Sequence, residues 1–349
     1  MIPAPANIEE LAEIIRSSEK VLAVGARTKP ALSTTDSSVQ LVSTRNLTGI
    51  VEYDPAEFTF TAKAGTPLRE IVRILEERGQ YLPFDPPLVE SGATIGGTVA
   101  AGLSGPGRFR YGGIRDFILA VEFLDGNGGR FRGGAKVVKN AAGFDLPKFF
   151  TGSCGRVGVL TEVTFKVFPR PPATRSFRIP CATPAEAVEL IATVARSRRE
   201  FDAIDYQSES GEVFSRMRGP ADALDALAAD LRHEFPRAES IGDAIWDDIT
   251  ELRFATGSEW LEKRPLTLGT MAGFVGECAR AEIKCHVSGG GSFVWMHGGN
   301  LTHARHPLTS GTGCIIRNCA RQPTTAYSGS VFDSRLRDAF DPARRFRGV

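Results

Sequence analysis

The spacing of apolar residues changes period several times along the chain, and each change marks an element. Ile8, Leu11, Ile14 and Ile15 recur at helical spacing and predict an amphipathic helix. Asn7 stands before it as an N-cap, and Glu10, three residues on, completes a capping box. Val21-Leu22-Ala23-Val24 predicts a short strand ending at Gly25. Gly49-Ile50-Val51-Glu52-Tyr53 and Phe58-Thr59-Phe60-Thr61-Ala62-Lys63-Ala64 predict two more, the second alternating apolar with polar as a half-buried strand does. Thr66 and Pro67 predict the N-cap and first position of a helix that buries Leu68, Ile71, Val72 and Leu75 and stops near Gly79.

Strand character returns at Phe117-Ile118-Leu119-Ala120-Val121-Glu122-Phe123-Leu124. Asp125-Gly126-Asn127-Gly128-Gly129 then signals a tight turn, so a hairpin into the segment of Phe131 is expected. A long strand follows from Gly158 through Val163 to Phe168, and Pro169-Arg170-Pro171-Pro172 ends it because proline cannot continue a ladder. That proline cluster predicts a domain boundary after residue 172. Beyond it, a strand near Phe177, a helix starting at Thr183-Pro184-Ala185-Glu186 with Val188, Leu190, Ile191 and Val194 inward, and a helix from Ala221 to Glu234 with Leu224, Leu227 and Leu231 in register predict a compact α+β unit.

Bulk properties narrow the class. The 349 residues suffice for two or three domains, and 42% hydrophobic with 24% charged residues is ordinary for a packed core. A net charge of +1 argues against a nucleic-acid-binding surface. No window approaches the roughly 18 apolar residues of a membrane span. Met1-Ile2-Pro3-Ala4-Pro5-Ala6-Asn7 lacks the basic and apolar regions of a secretory signal. The six cysteines form no disulfide framework, so a reducing cytoplasm is expected.

Glycine is concentrated in three patches: Ser91-Gly92-Ala93-Thr94-Ile95-Gly96-Gly97-Thr98, Gly102-Leu103-Ser104-Gly105-Pro106-Gly107 and Gly152-Ser153-Cys154-Gly155-Arg156-Val157-Gly158. A run of tight turns would account for glycine alone. Alternation with apolar strands and clustered cations favours one cradle for a large anionic ligand. A dinucleotide pyrophosphate needs backbone N–H donors, close backbone approach and cationic help. Gly25, Ala26, Arg27, Thr28 and Lys29 offer such a loop at a strand end, and Gly96-Gly97-Thr98 a second loop. No G-x-G-x-x-G follows the first strand and no G-x-x-x-x-G-K-[ST] occurs, which disfavours a nicotinamide dehydrogenase or a nucleotide triphosphatase.

Five motifs occur in order: Phe84-Asp85-Pro86-Pro87, Gly92-Ala93-Thr94-Ile95-Gly96-Gly97, Tyr111-Gly112-Gly113-Ile114-Arg115-Asp116, Lys139-Asn140-Ala141-Ala142-Gly143-Phe144-Asp145-Leu146 and Gly158-Val159-Leu160-Thr161-Glu162-Val163. Together they resemble the FAD-binding domain of the vanillyl-alcohol oxidase and p-cresol methylhydroxylase (PCMH) superfamily, and within it the flavin-binding E subunits of bacterial glycolate oxidases. The resemblance implies an α+β fold in which a PCMH-type domain of two α/β subdomains (1–172) holds FAD. An α+β cap (173–320) covers it, and residues 321–349 return to the first domain. It implies that Gly25, Ala26, Arg27, Thr28 and Lys29 match the first pyrophosphate loop. Pro86 and Gly92, Ala93, Thr94, Ile95, Gly96, Gly97 and Thr98 match the segment lining pyrophosphate and flavin. Gly102, Ser104, Gly105, Arg115 and Asp116 match the flavin-side loops, and Gly158, Val159 and Val163 the strand on the adenine side. The tail Phe340-Asp341-Pro342-Ala343-Arg344-Arg345 lacks the Asn-Pro of relatives, which puts a flavin contact there in doubt.

All five histidines, His233, His286, His297, His303 and His306, lie beyond the first domain, so non-covalent FAD is expected. Oxidation of a small 2-hydroxy acid needs a base and carboxylate-binding cations. His297, His303, Arg305, His306 and Arg317 are the weak candidates, and surface or core roles for them carry more weight. Cys278, Cys285, Cys314 and Cys319 have no zinc or iron–sulfur spacing, so no metal is expected. The basic residues Arg335, Arg337, Arg344, Arg345 and Arg347 are expected on a solvated face, with docking to an iron–sulfur partner as the sharper alternative. The resemblance implies a D-like flavin subunit and an F-like iron–sulfur subunit as partners, with electrons passing from substrate through flavin, in the cytoplasm or peripheral to the inner membrane through those partners. A self-sufficient oxidoreductase and a non-catalytic structural subunit are the alternatives.

Overall fold

The computed structural model describes residues 1–135, 145–299, 313–317 and 331–346. Helix α1 (Ile8–Ser17) starts where Asn7 accepts the N–H of Glu10 at 2.8 Å, while the Glu10 carboxylate accepts the N–H of Ala6. It buries Leu11, Ala12 and Ile15. Strands β1 (Val21–Val24) and β2 (Gln40–Ser43) pair in parallel beneath it. Strands β3 (Ile50–Asp54) and β4 (Thr59–Lys63) lead to α2 (Leu68–Glu76), which begins one residue later than expected. Pro67 is extended, with ψ of 135°, and takes the cap position. The Thr66 hydroxyl faces away, accepting the Gly49 N–H at 3.0 Å and donating to the Lys63 carbonyl. Val72 is only half-buried.

After the short β5 (Gln80–Tyr81) comes α3 (Ile95–Ala101). Gly96 and Gly97 therefore form the first turn of a helix, not a free loop, because Thr94 caps it by accepting the Gly97 N–H. The turn α4 (Arg108–Tyr111) precedes β6 (Ile118–Leu124), and the expected hairpin carries the chain into β7 (Arg130–Gly134). The fourth motif of the sequence falls largely on residues 136–144, outside the described residues. Helix α5 (Leu146–Phe150) leads to β8 (Val159–Lys166), which ends two residues short of the expected strand. There β9 (Phe168–Pro169) leaves the sheet and pairs with β5. The resulting antiparallel sheet has five strands in the order β3-β4-β8-β6-β7.

The chain crosses at Pro171 and Pro172 into β10 (Ala173–Pro180). Helix α6 (Pro184–Arg196), strands β11 (Ala203–Gln207) and β12 (Glu212–Gly219), helix α7 (Ala221–Glu234), strand β13 (Glu239–Ile241), helix α8 (Ala244–Thr250), strand β14 (Trp260–Pro265), helix α9 (Leu268–Arg280), and strands β15 (Lys284–Ser288), β16 (Phe293–Gly298) and β17 (Cys314–Arg317) complete the second unit. Its eight strands run in the order β13-β10-β12-β11-β15-β16-β14-β17. One face packs on α6, α7 and α9 through Ile191, Leu231, Met271, Tyr206 and Val294. The other face turns toward the first domain, where Leu261, Phe293, Trp295 and Ile316 share a core with Leu82, Phe84 and Ile95.

Buried charge fastens that contact. Arg216 on β12 bonds Asp202 at 2.8 Å and also Asp85, which sits at φ of 47° just after β5. The Asp85 carboxylate also accepts the Gly107 N–H at 2.8 Å. Arg218 Nη1 lies 3.5 Å from Asp85 and 3.3 Å from Asp202. Burial raises the Asp85 carboxyl, but Arg216, Arg218 and the Gly107 N–H together outweigh it and hold the group below the usual range. Burial prevails at Asp202, which stays raised.

The C-terminal helix α10 (Val331–Phe340) returns to the first domain, with the Phe340 ring 5.3 Å from Phe123. Arg345 is not on a solvated face: it donates to the carbonyls of Ser18, Gly126 and Arg16. Phe346 then bridges to Val21 of β1 and is buried.

Replacing Arg216 by methionine leaves the buried Asp85 and Asp202 with only Arg218, at 3.5 and 3.3 Å, as a nearby cation among the described residues. A loss of about 3–5 kcal/mol in unfolding free energy is expected, read by urea titration. An unchanged midpoint would show that the clamp contributes nothing net.

Candidate functional site

A cavity of about 780 Å³, partly open to solvent, lies between β1, α3 and the start of β8. Leu22, Val24, Leu32, Ala64, Ala101 and Leu160 give it apolar walls. Gly25, Ala26, Arg27, Thr28 and Lys29 form one rim, and Ser153, Cys154 and Gly155 the opposite one. Among the described residues, no acceptor pairs with the backbone N–H groups from Ala26 to Lys29. Arg27, at φ of 57°, turns this loop so that successive N–H groups can converge on an anion.

Close approach explains the glycines. A Cβ at Gly25 would stand 2.3 Å from Thr94 Oγ1, and one at Gly96 would stand 2.6 Å from the Ala64 side chain. The third glycine patch is docked onto α3, since the Gly152 and Cys154 N–H groups bond the Val99 and Ala100 carbonyls at 2.9 Å. Cys154 and Gly155 both have positive φ, 49° and 73°, which folds this rim back over the cavity.

Lys29 is buried here, and among the described residues its ammonium donates only to Thr28 Oγ1 at 3.1 Å. Burial lowers its pKa to about 8, opposed weakly by Cys314 and Cys154. A buried cation with no carboxylate partner is costly unless an anion completes it. An apolar slot, loop N–H groups without a partner among the described residues and this cation could together hold a dinucleotide.

Among the expected cofactor residues, Gly25, Ala26, Arg27, Thr28, Lys29, Thr94, Gly96, Gly97 and Gly158 line this cavity. Pro86 lines a separate cleft beside Arg216 and Arg218. Ala93, Ile95, Thr98, Val159 and Val163 are buried and serve the core or the helix. Gly92 (φ 83°) and Gly102 (φ 65°) shape turns. Ser104 accepts the Ile114 N–H at 2.8 Å beside the buried Gly105, and Asp116 accepts the Gly113 N–H at 2.8 Å. Arg115 is exposed. Ser153, Cys154 and Gly155 were missed as contacts, although their glycine-dense patch signalled them.

In the second unit, His303, Arg305 and His306 lie outside the described residues, as does Cys319. Arg317 donates to the Ala255 carbonyl at 3.0 Å, tying the edge strand to the turn Arg253–Ala255. His297 is buried, with Nδ1 2.9 Å from Ser258 Oγ. His286, which the sequence did not single out, pairs with Asp205 at 2.9 Å under the Phe254 ring. Asp205 also accepts from Ser288 and Gly289, so this group holds a turn.

Residues 1–134 match the family described as FAD binding domain. The chain is similar to a protein named glycolate oxidase subunit GlcE from Escherichia coli strain K12. That match is 42% identical over 173 residues, 50% of this chain and 49% of the relative. It is also similar to glycolate oxidase subunit GlcD from Bacillus subtilis strain 168, 32% identical over 48% of this chain and 37% of that protein. The aligned parts thus span about half of these relatives or less. Among solved structures, p-cresol methylhydroxylase with substrate bound shares the fold, with a TM-score of 0.74 at 13% identity over 97% of this chain and 86% of that one. An alkyldihydroxyacetonephosphate synthase matches with a TM-score of 0.69 at 18% identity, over 100% of this chain and 77% of that one. The chain therefore shares its α+β fold with p-cresol methylhydroxylase, and residues 1–134 are similar to an FAD binding domain.

Burial lowers the pKa of His297 from 6.5 to about 4, outweighing the pull of Glu209. The folded state resists its protonation, so this contribution to stability is whole above pH 6.5 and is lost as pH falls toward 4. The loss is on the order of 3 kcal/mol. Urea midpoints measured from pH 7 to pH 4 should fall less steeply in His297→Asn; identical slopes would contradict the assignment.

Proposed function

We propose that this chain, whose residues 1–134 match an FAD binding domain, is the FAD-holding subunit of a complex that oxidises a small 2-hydroxy acid such as glycolate. The carrying observation is the glycine-lined cavity with unpaired loop N–H groups and the buried, unpaired Lys29. FAD, when bound, supplies a two-electron acceptor whose electrons an iron–sulfur partner subunit would take up. The loop 25–29 would hold the pyrophosphate. Leu22, Leu160 and Ala64 would exclude water from the rings. Residues 1–172 would form the cofactor domain and 173–320 the cap, with the segment after 320 closing back on the first domain.

FAD is proposed to be held non-covalently, since no histidine is among the described residues that line the cavity. Two observations support a complex as the setting: the relatives are named as subunits, and His297 is a buried, neutral core group rather than an exposed base.

Reconstitution with FAD should give a yellow protein whose colour leaves the pellet on acid precipitation. A colourless protein would overturn the assignment, and retained colour would overturn the non-covalent link. Gly97→Leu should weaken FAD affinity at least about tenfold, because the side chain enters at the Thr94 rim. Gly269→Ala, on open space in α9, should leave affinity unchanged. Glycolate should bleach the co-purified complex faster than the isolated chain; equal rates would favour a self-sufficient enzyme.

A further inference from the structure

The second unit reaches toward the cofactor cavity through α8. That helix is seated on its own sheet by Trp246 and Ile249, which pack on Ala203 and Phe214. Trp246 Nε1 also donates to Ser176 Oγ at 2.9 Å. The end of the helix then grips residues 88–91 of the first domain. The Thr250 carbonyl accepts the Leu88 N–H at 3.0 Å. The Glu251 carboxylate takes two successive backbone donors, the Glu90 N–H at 2.9 Å on one oxygen and the Ser91 N–H at 3.1 Å on the other. The Ser91 hydroxyl adds a third bond to it at 2.7 Å. Glu90 and Ser91 are exposed, so apolar burial does not hold these two residues in place.

The gripped segment has a backbone that its own sequence does not favour. Asp85 and Leu88 both carry a Cβ, yet both sit in the left-handed region, at φ of 47° and 65°. Each is held by a group of the second unit: Asp85 by Arg216, and Leu88 by the Thr250 carbonyl. Such conformations persist where surrounding contacts over-determine them. The grip is passed on through the backbone. The Leu88 carbonyl accepts the Ala93 N–H at 2.9 Å, and the Val89 carbonyl accepts the Gly92 N–H at 3.1 Å. Thr94 follows directly; it lines the cavity, caps α3 and stands against Gly25. On its other side Thr94 bridges to Pro67 of the first domain. This rim of the cavity is thus held from two directions, and one of them leads back to α8.

We propose that Glu251 is a positioning residue for the cofactor cavity. By fixing the 88–91 turn from the second unit it sets the Thr94 rim, so that docking of the second unit and retention of the cofactor reinforce each other. The effect on the cofactor rests on the FAD reading; the effect on the backbone does not. Glu251 is not among the described residues that line the cavity, so its influence passes through residues 88–94. Linkage makes the effect reciprocal: a ligand that steadies Thr94 strengthens the Glu251 contact by the same factor.

The test has two readouts on the full chain. One is amide hydrogen exchange over residues 88–97 without FAD; the other is the rate at which flavin fluorescence appears when the FAD-loaded chain is diluted. Glu251→Ala should raise exchange at 88–91 and also at 93–97, and should speed flavin release about tenfold. Glu251→Gln, which keeps one acceptor oxygen, should move both readouts the same way by less. Ser91→Ala should act weakly, and adding it to Glu251→Ala should change nothing further, because both remove one contact. Glu186→Ala breaks bonds to Ala182 and Arg237 within the second unit and should leave 93–97 and flavin release unaltered. Raised exchange confined to 88–91 in Glu251→Ala would overturn the coupling, as would flavin release at the wild-type rate from that variant. Equal effects of Glu186→Ala and Glu251→Ala would reveal a general loss of stability and overturn it too. A wild-type chain that never takes up FAD would sink the flavin reading alone. Exchange in the FAD-free chain would still decide whether Glu251 sets the rim.

Discussion

The Asp202–Arg216–Asp85 clamp is the constraint from which the rest of the architecture follows. A guanidinium withdrawn from water must satisfy its donors, and here it does so with one carboxylate from each domain. That fixes β12 against the turn after β5, and Asp85 in turn fixes the Gly107 N–H at the entry to α4. The apolar contact of Leu261, Phe293 and Ile316 with Phe84 and Ile95 supplies most of the adhesion, and the clamp supplies its alignment.

Within the first domain the same logic works through missing atoms. Gly96 brings α3 onto β4, and Gly25 lets the first loop reach Thr94. Both contacts shape the cavity from backbone, so its width does not depend on side-chain rotamers. Among the described residues Lys29 is then the one strongly charged group submerged in the slot, while Arg27 stays at the exposed rim. The arrangement separates an apolar region from a donor-rich edge.

Much of this was legible along the chain where local chemistry decides the outcome. The capping box at Asn7 and Glu10, the hairpin at Asp125 and the limits of α7 follow from residues adjacent in sequence. The departures arise where a distant partner overrides local preference. Thr66 fits an N-cap by composition, yet its hydroxyl is taken by Gly49 and Lys63. Phe168 continues a strand pattern, yet Tyr81 captures it. Arg345 looked like one more basic tail residue because its three carbonyl partners lie more than two hundred positions away.

The return of Phe346 to β1 has a consequence for biosynthesis. Val21 and Leu11 pack on that ring, so the small core under α1 lacks a wall until residue 346 has left the ribosome. The strand that carries the Gly25 loop is thus walled in only once a segment more than three hundred residues further on has folded back against it. Shaping of that loop's surroundings would then wait on residue 346 rather than on emergence of the glycine-rich segments themselves.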